Sequence, residues 1–181
     1  LFRSKVYRAF LESGAMAKWI PPYGFTCTVH HMDAQVGGTF RMSFHHFSSG
    51  NSHSFGGEYL ELVPNERIRY TDKFDDPALP GVIEVTVTLR PVLCGTELSV
   101  TQVGIPDVIP LEMCYLGWQE SLTLLAQLAQ PGQVFNNSLD RTAPIKRLVL
   151  NVALAQTPRD LGFGQFGFLF KDTPTTDIYT K

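Results

Sequence analysis

A chain of 181 residues that is 44% hydrophobic and 18% charged carries enough apolar material to bury a core, which excludes a disordered polymer. Its 15 basic and 17 acidic residues leave a net charge of −2, so nothing points to a dedicated nucleic-acid binder. No apolar run approaches the roughly 18–20 residues of a membrane span.

Taken in chain order, the predicted elements begin with two short helices. Ser4 is placed to cap a helix from Lys5 to about Glu12 with Val6 and Phe10 on its apolar side. A second covers about Ala15–Trp19 and is ended by Pro21-Pro22. Six strand-like segments follow, at about Gly24–Met32, Gly38–Phe47, Ser52–Val63, Arg67–Lys73, Val82–Pro91 and Thr96–Val103. Short connectors rich in turn formers favour an antiparallel meander. Alternation is clean: Phe40, Met42 and Phe44 oppose Arg41, Ser43 and His45, and Ile83, Val85, Val87 and Leu89 oppose Glu84, Thr86, Thr88 and Arg90. Such a half-buried sheet needs a cover. The cover is a helix over about Asp107–Gln130, with Leu111, Trp118, Leu122, Leu125 and Leu128 at helical spacing and Pro110 tolerated in its first turn. The expected class is α+β.

Pro131-Gly132 marks a junction. Residues 1–130 hold 9 basic and 13 acidic residues, and residues 131–181 hold 6 and 4, so the two parts differ in sign. In the second part, Ile145–Gln156 suits a short helix or a strand. Gly162–Phe170 is aromatic and glycine-rich without a helical period, and Asp172–Asp177 is polar and broken by Pro174. This extension is expected to be less ordered than residues 4–130.

Three widely spaced cysteines, Cys27, Cys94 and Cys114, form no C-x-x-C pair and read as buried reduced thiols rather than a disulfide framework or a thiolate zinc site. The opening residues Leu1–Lys5 lack both the basic and the apolar region of a signal peptide, so the expected location is cytoplasmic, and the start without Met raises the expectation of a cut N-terminus. The sequon Asn136-Asn137-Ser138 carries little weight in that setting.

All five histidines, His30, His31, His45, His46 and His53, fall within one stretch. Adjacent strand residues point to opposite faces, so His45 and His46 do not share an ion, and no carboxylate or thiol completes a ligand pattern; no metal is expected. There is no G-x-S-x-G and no phosphate loop; Gly37-Gly38 and Gly56-Gly57 read as places where the sheet bulges or coils. No catalytic residue and no cofactor is assigned. Asp72 shares parity with Ile68, Tyr70 and Phe74, so it is either a polar anchor in a pocket or part of a strand already frayed into the next loop. Gln102 shares the inward parity of Leu98 and Val100. Glu58 is either a cavity group or a partner for Arg41.

Several motifs together resemble one family: Val6-Tyr7-Arg8-Ala9-Phe10, Ala17-Lys18-Trp19, Gly37-Gly38-Thr39-Phe40-Arg41-Met42, Gly57-Glu58-Tyr59-Leu60-Glu61-Leu62, Pro64-Asn65-Glu66-Arg67-Ile68, Thr86-Val87-Thr88-Leu89, Gly95-Thr96-Glu97-Leu98 and Gly117-Trp118-Gln119-Glu120-Ser121-Leu122. Over about residues 4–130 the chain is similar to the activator of heat-shock protein 90 ATPase homologues of the START and birch-pollen-allergen-like (SRPBCC) superfamily. The resemblance implies a helix-grip fold, a curved antiparallel sheet wrapped around a long C-terminal helix. It also implies a cavity for an apolar or amphipathic small molecule. Relative to that pattern the first edge strand is truncated, which leaves an edge open to another chain and to homodimer formation.

On that resemblance the cavity residues are Trp19, Phe40, Met42, Phe44, Phe55, Tyr59, Tyr70, Asp72, Gln102, Met113, Gly117 and Trp118. The bland alternative for the aromatic set is plain core. Gly117 either permits close packing or leaves room for a ligand. Three functions follow as expectations: non-catalytic binding of a hydrophobic small molecule, a cyclase- or hydrolase-like enzyme using Asp72, Glu58 or Gln102, or a stress-response module regulating a chaperone partner.

Overall fold

The computed structural model describes residues 2–92 and 95–129, together with two strand segments at residues 147–155 and 162–164. Helices α1 (Phe2–Ala9) and α2 (Ser13–Trp19) open the chain. α1 starts ahead of Lys5, so Ser4 lies inside it rather than at its cap. It stops early because the chain turns at once: the N–H groups of Leu11 and Glu12 donate to the Arg8 carbonyl at 2.9 and 3.0 Å, and those of Ala15 and Met16 to the Glu12 carbonyl at 3.0 and 2.8 Å. The tight turn stacks the two helices. The Phe10 and Trp19 rings meet edge to face at 4.6 Å, and the Trp19 indole N–H donates to the Ala9 carbonyl at 2.9 Å.

The six expected strands are present within a residue or so at each end: β1 (Phe25–Met32), β2 (Thr39–His46), β3 (Ser52–Val63), β4 (Arg67–Phe74), β5 (Ile83–Val92) and β6 (Gly95–Val103). Each pairs antiparallel with its sequence neighbour. Helix α3 (Leu111–Ala129) follows, and Pro110 stands just before it, its carbonyl accepting from the N–H groups of Met113 and Cys114 at 3.0 and 3.3 Å. α3 buries Trp118, Leu122, Leu125 and Ala129, and these join Val85, Val87, Leu98 and Val100 of the sheet in one core. The result is the α+β helix-grip architecture, a curled six-stranded antiparallel half-barrel with a long helix.

Glycine sets the curl. A Cβ on Gly57 would overlap the Thr71 carbonyl oxygen, and one on Gly56 would overlap that of Phe40, so β2, β3 and β4 approach closely only because these positions carry no side chain. Two bulges add to it. In β1 the register slips between Val29 and His31, which inserts His30; in β3 it slips between Tyr59 and Glu61, which inserts Leu60. The first bulge sends both His30 and His31 outward while returning Met32 to the inner side.

Strand β7 (Arg147–Ala155) pairs in parallel with β6 along its whole length, and β8 (Gly162–Gly164) pairs antiparallel with β7. The segment Ile145–Gln156 therefore contains a strand rather than a helix. Parallel pairing is natural here because α3 lies between β6 and β7 in the chain. β7 takes the outer edge of β6, an edge that would otherwise be open to pairing. Cys94, Pro131-Gly132, Asn136-Asn137-Ser138, Asp172–Asp177 and most of Gly162–Phe170 lie outside the described residues. Among the described residues, no helix is long and apolar enough to cross a membrane.

Candidate functional site: a cavity between the sheet and the long helix

Strand alternation places every second side chain of β2, β3 and β4 on the concave face. Phe40, Met42 and Phe44 of β2, Phe55 and Tyr59 of β3, and Tyr70, Asp72 and Phe74 of β4 line one cavity of about 340 Å³. That volume lies within the range of small-molecule sites. The rings form two clusters on this wall: Phe44–Phe55 at 4.8 Å with Phe55–Phe74 at 6.2 Å, and Phe40–Tyr59 and Phe40–Tyr70 each at 5.6 Å. Phe25 of β1 extends the row beside Phe44 at 6.2 Å, and Gln102 enters from β6.

The opposite wall is helical. Cys114, Gly117, Trp118 and Ser121 of α3 share one face at spacings of three, four and seven, and all line the cavity. A Cβ on Gly117 would meet no atom within 4 Å, so this glycine holds space open rather than allowing close packing. Met16 and Ile20, four residues apart at α2 and its C-terminal end, close one side. The Ser121 hydroxyl fixes that closure by donating to the Ile20 carbonyl at 2.6 Å. Exposed His53 and half-buried Leu79 belong to the rim.

Asp72 is the charged group in this apolar setting. It is paired within β4, opposite Ile83 of β5, so the strand has not frayed there. As a residue it keeps part of its surface accessible, yet its Oδ1 is sealed from solvent and has no hydrogen-bond partner among the described residues. Burial raises its pKa to about 7, against the lowering effect of the Lys73 backbone N–H. Burial, and secondarily the Asp72 charge, also hold the Tyr70 hydroxyl well above its ordinary value. The Tyr59 hydroxyl, likewise raised by burial, donates to the Phe10 carbonyl at 3.5 Å.

Two residues expected at the cavity lie elsewhere. Trp19 is wholly buried and pinned against α1 by its indole hydrogen bond; Met16 and Ile20 take the cavity side of that helix. Met113 is 62% exposed, because one step along a helix from Cys114 turns a side chain by about 100° and out of the lining face. Glu58 is exposed on β3, and Arg41 pairs bidentately with Asp75 instead. Phe25, Phe74, Cys114 and Ser121 were legible from strand parity or helical spacing. Met16, Ile20, Pro22 and Leu79 were not, since their places depend on how α2 and the loop after β4 fold against the sheet.

The histidines engage hydroxyls across β1 and β2: His30 with Ser43 at 2.7 Å, His31 with Thr39 at 3.1 Å and His45 with Thr28 at 3.2 Å. His46 faces Ser49 at 3.0 Å in the hairpin loop. Among the described residues, no three His, Cys, Asp or Glu side chains come together to hold a metal ion. Burial pushes the Cys27 thiol up to about 11 and raises that of Cys114, which disfavours a thiolate nucleophile at either position.

No curated protein sequence matches the chain. Among solved structures it is similar to protein CV1439 from Chromobacterium violaceum, at 59% identity and a TM-score of 0.68, covering 70% of this chain and 88% of that one. A protein from Rhodobacter sphaeroides shares 21% identity over 70% of this chain and 84% of its own, with a TM-score of 0.61. An AHSA1-like protein from Aeromonas hydrophila shares 19% over 75% and 90%, with a TM-score of 0.55; at that identity both show the fold alone. The family model described as Activator of Hsp90 ATPase homolog 1-like protein matches residues 2–130. Sequence motifs, half-barrel and family match coincide over the same residues, and the chain belongs to the Activator of Hsp90 ATPase homolog 1-like family, within the SRPBCC superfamily.

Proposed function

We propose that the protein is a non-catalytic binding module that encloses a hydrophobic or amphipathic small molecule between the sheet and α3, as a carrier or sensor. The observation that carries this reading is the cavity of about 340 Å³ with its aromatic wall. Gly117 supports it, because a helix that merely packed on the sheet would gain by carrying a side chain there. Binding of this kind draws on apolar area removed from water, roughly 25 cal/mol per Å².

Native mass spectrometry of freshly purified protein, repeated after denaturation, tests the reading. The expected result is a bound small molecule lost on denaturation. A protein that is apo as isolated and takes up no apolar probe in titration overturns it.

The second reading is acid–base catalysis, favoured by one observation: Asp72 titrates near neutrality in an apolar site, as general acids and bases do. Under it, Asp72→Asn lowers turnover of the bound molecule by roughly 10²-fold or more, whereas a carrier has no turnover to lose. Regulation of a chaperone, which the family's name suggests, would use the outer surface and be indifferent to side chains that fill the cavity.

A further inference from the structure

The cavity wall is apolar but not uniformly so. Tyr70 and Gln102 both face Val85 across the sheet, one from β4 and one from β6, and Asp72 follows Tyr70 by two residues on the same face. All three line the cavity and form a polar patch on the inner face of the sheet. Within that patch Asp72 Oδ1 is buried and unpaired. Buried carboxylate oxygens are almost always hydrogen-bonded in folded proteins, and an orphan one marks a place where a partner is missing.

We propose that the ligand is an apolar molecule bearing a hydroxyl group, and that the hydroxyl hydrogen-bonds to the Asp72 carboxyl group. The inference rests on the reading of the cavity as a ligand site. A neutral hydroxyl fits better than an ammonium group. An ammonium group brought there must give up its hydration shell, a larger cost than desolvating a neutral hydroxyl. Asp72 is moreover only partly ionised near neutral pH, and a hydroxyl can donate to the carboxylate or accept from the carboxylic acid, whereas an ammonium group can only donate. The rings stack against the remainder of the molecule, and Gly117 leaves it room on the helix side.

Calorimetric titration of the full chain with hexylphenol, its methyl ether, hexylbenzene and hexylbenzylamine tests this. Hexylphenol is expected to bind at least about tenfold more tightly than its methyl ether or hexylbenzene, the advantage of a hydrogen bond to a charged group. In Asp72→Leu, which removes the acceptor but keeps an apolar volume, that preference is expected to shrink to within about twofold. Equal affinity of the phenol, ether and hydrocarbon in the unmodified protein overturns the hydroxyl assignment while leaving the cavity reading intact. This comparison needs no variant, so it decides even if Asp72→Leu does not fold. Tighter binding of the amine than of the phenol overturns it in favour of an ion pair. If none of the four binds, the cavity reading itself fails and takes the hydroxyl with it.

Discussion

The Ser121 hydroxyl and the Ile20 carbonyl, 101 residues apart in the chain, are joined by a 2.6 Å hydrogen bond, and both residues line the same cavity. The contact ties the middle of α3 to the end of α2 and so sets how far the helices stand apart at that side. Ser121→Ala removes the donor and leaves the carbonyl without that partner, at a cost of about 1–3 kcal/mol. Urea denaturation read by tryptophan fluorescence is the check. A loss indistinguishable from zero would mean that the carbonyl is satisfied by other means.

Gly117 offers a cleaner probe of the cavity than a sheet residue. A methyl group there meets nothing, so Gly117→Ala is expected to stabilise the protein by about 0.5–1 kcal/mol through helix propensity alone. Gly117→Leu reaches into the space a ligand needs. It is expected to keep the fold and to weaken hexylphenol binding by about tenfold or more, by occupying volume that the ligand otherwise fills. Thermal melts and calorimetry read the two effects separately; unchanged affinity in a folded Gly117→Leu variant would place the ligand elsewhere. On the opposite wall, Met42→Trp is expected to act in the same direction.

Asp72 makes stability depend on pH with a definite sign. Its pKa in the folded protein, about 7, lies above the ordinary carboxylate value of 3.8. Between those values the folded protein holds a proton that the unfolded chain has released. The contribution is therefore full below about pH 4 and is lost as pH rises through about 7, with a total on the order of 4 kcal/mol. Asp72→Asn cannot titrate. Relative to the unmodified protein, it is expected to gain stability from pH 4 to pH 8 by a few kcal/mol. Denaturant midpoints at both pH values give the difference, and parallel profiles would remove Asp72 as the titrating group.

Gly57→Ala tests the origin of the curl. The added methyl collides with the Thr71 carbonyl oxygen, a backbone atom of β4 at a residue paired with Glu84 of β5, so the strands must separate. A destabilisation of about 2–4 kcal/mol is expected, at the level of core overpacking. Gly37→Ala provides the contrast: no atom lies within 4 Å of its Cβ position, so only strain from its positive φ of 80° enters. Equal effects at the two positions would show that the close approach at Gly57 is not what the glycine serves.

Much of the architecture is legible in the chain itself. Alternation in Phe40–Phe44 and Ile83–Leu89 fixes strands and their inner faces, because a strand's side chains repeat every two residues whatever it packs against. The spacing of Trp118, Leu122 and Leu125 likewise fixes the helix and its buried stripe. Most of the cavity's sheet wall follows from the same parity, Asp72 and Gln102 included. Trp19, Met113 and Glu58 do not follow, for they depend on how an element is rotated and on which neighbour competes for its side chains. Trp19 has a carbonyl on α1 to satisfy, and Arg41 finds Asp75 from a loop 34 residues away. Whether facing aromatic side chains close into solid core or leave a void is likewise absent from local periodicity. It is set by the distance between sheet and helix, and that distance is fixed by contacts such as Ser121 with Ile20, made only after the whole chain has folded.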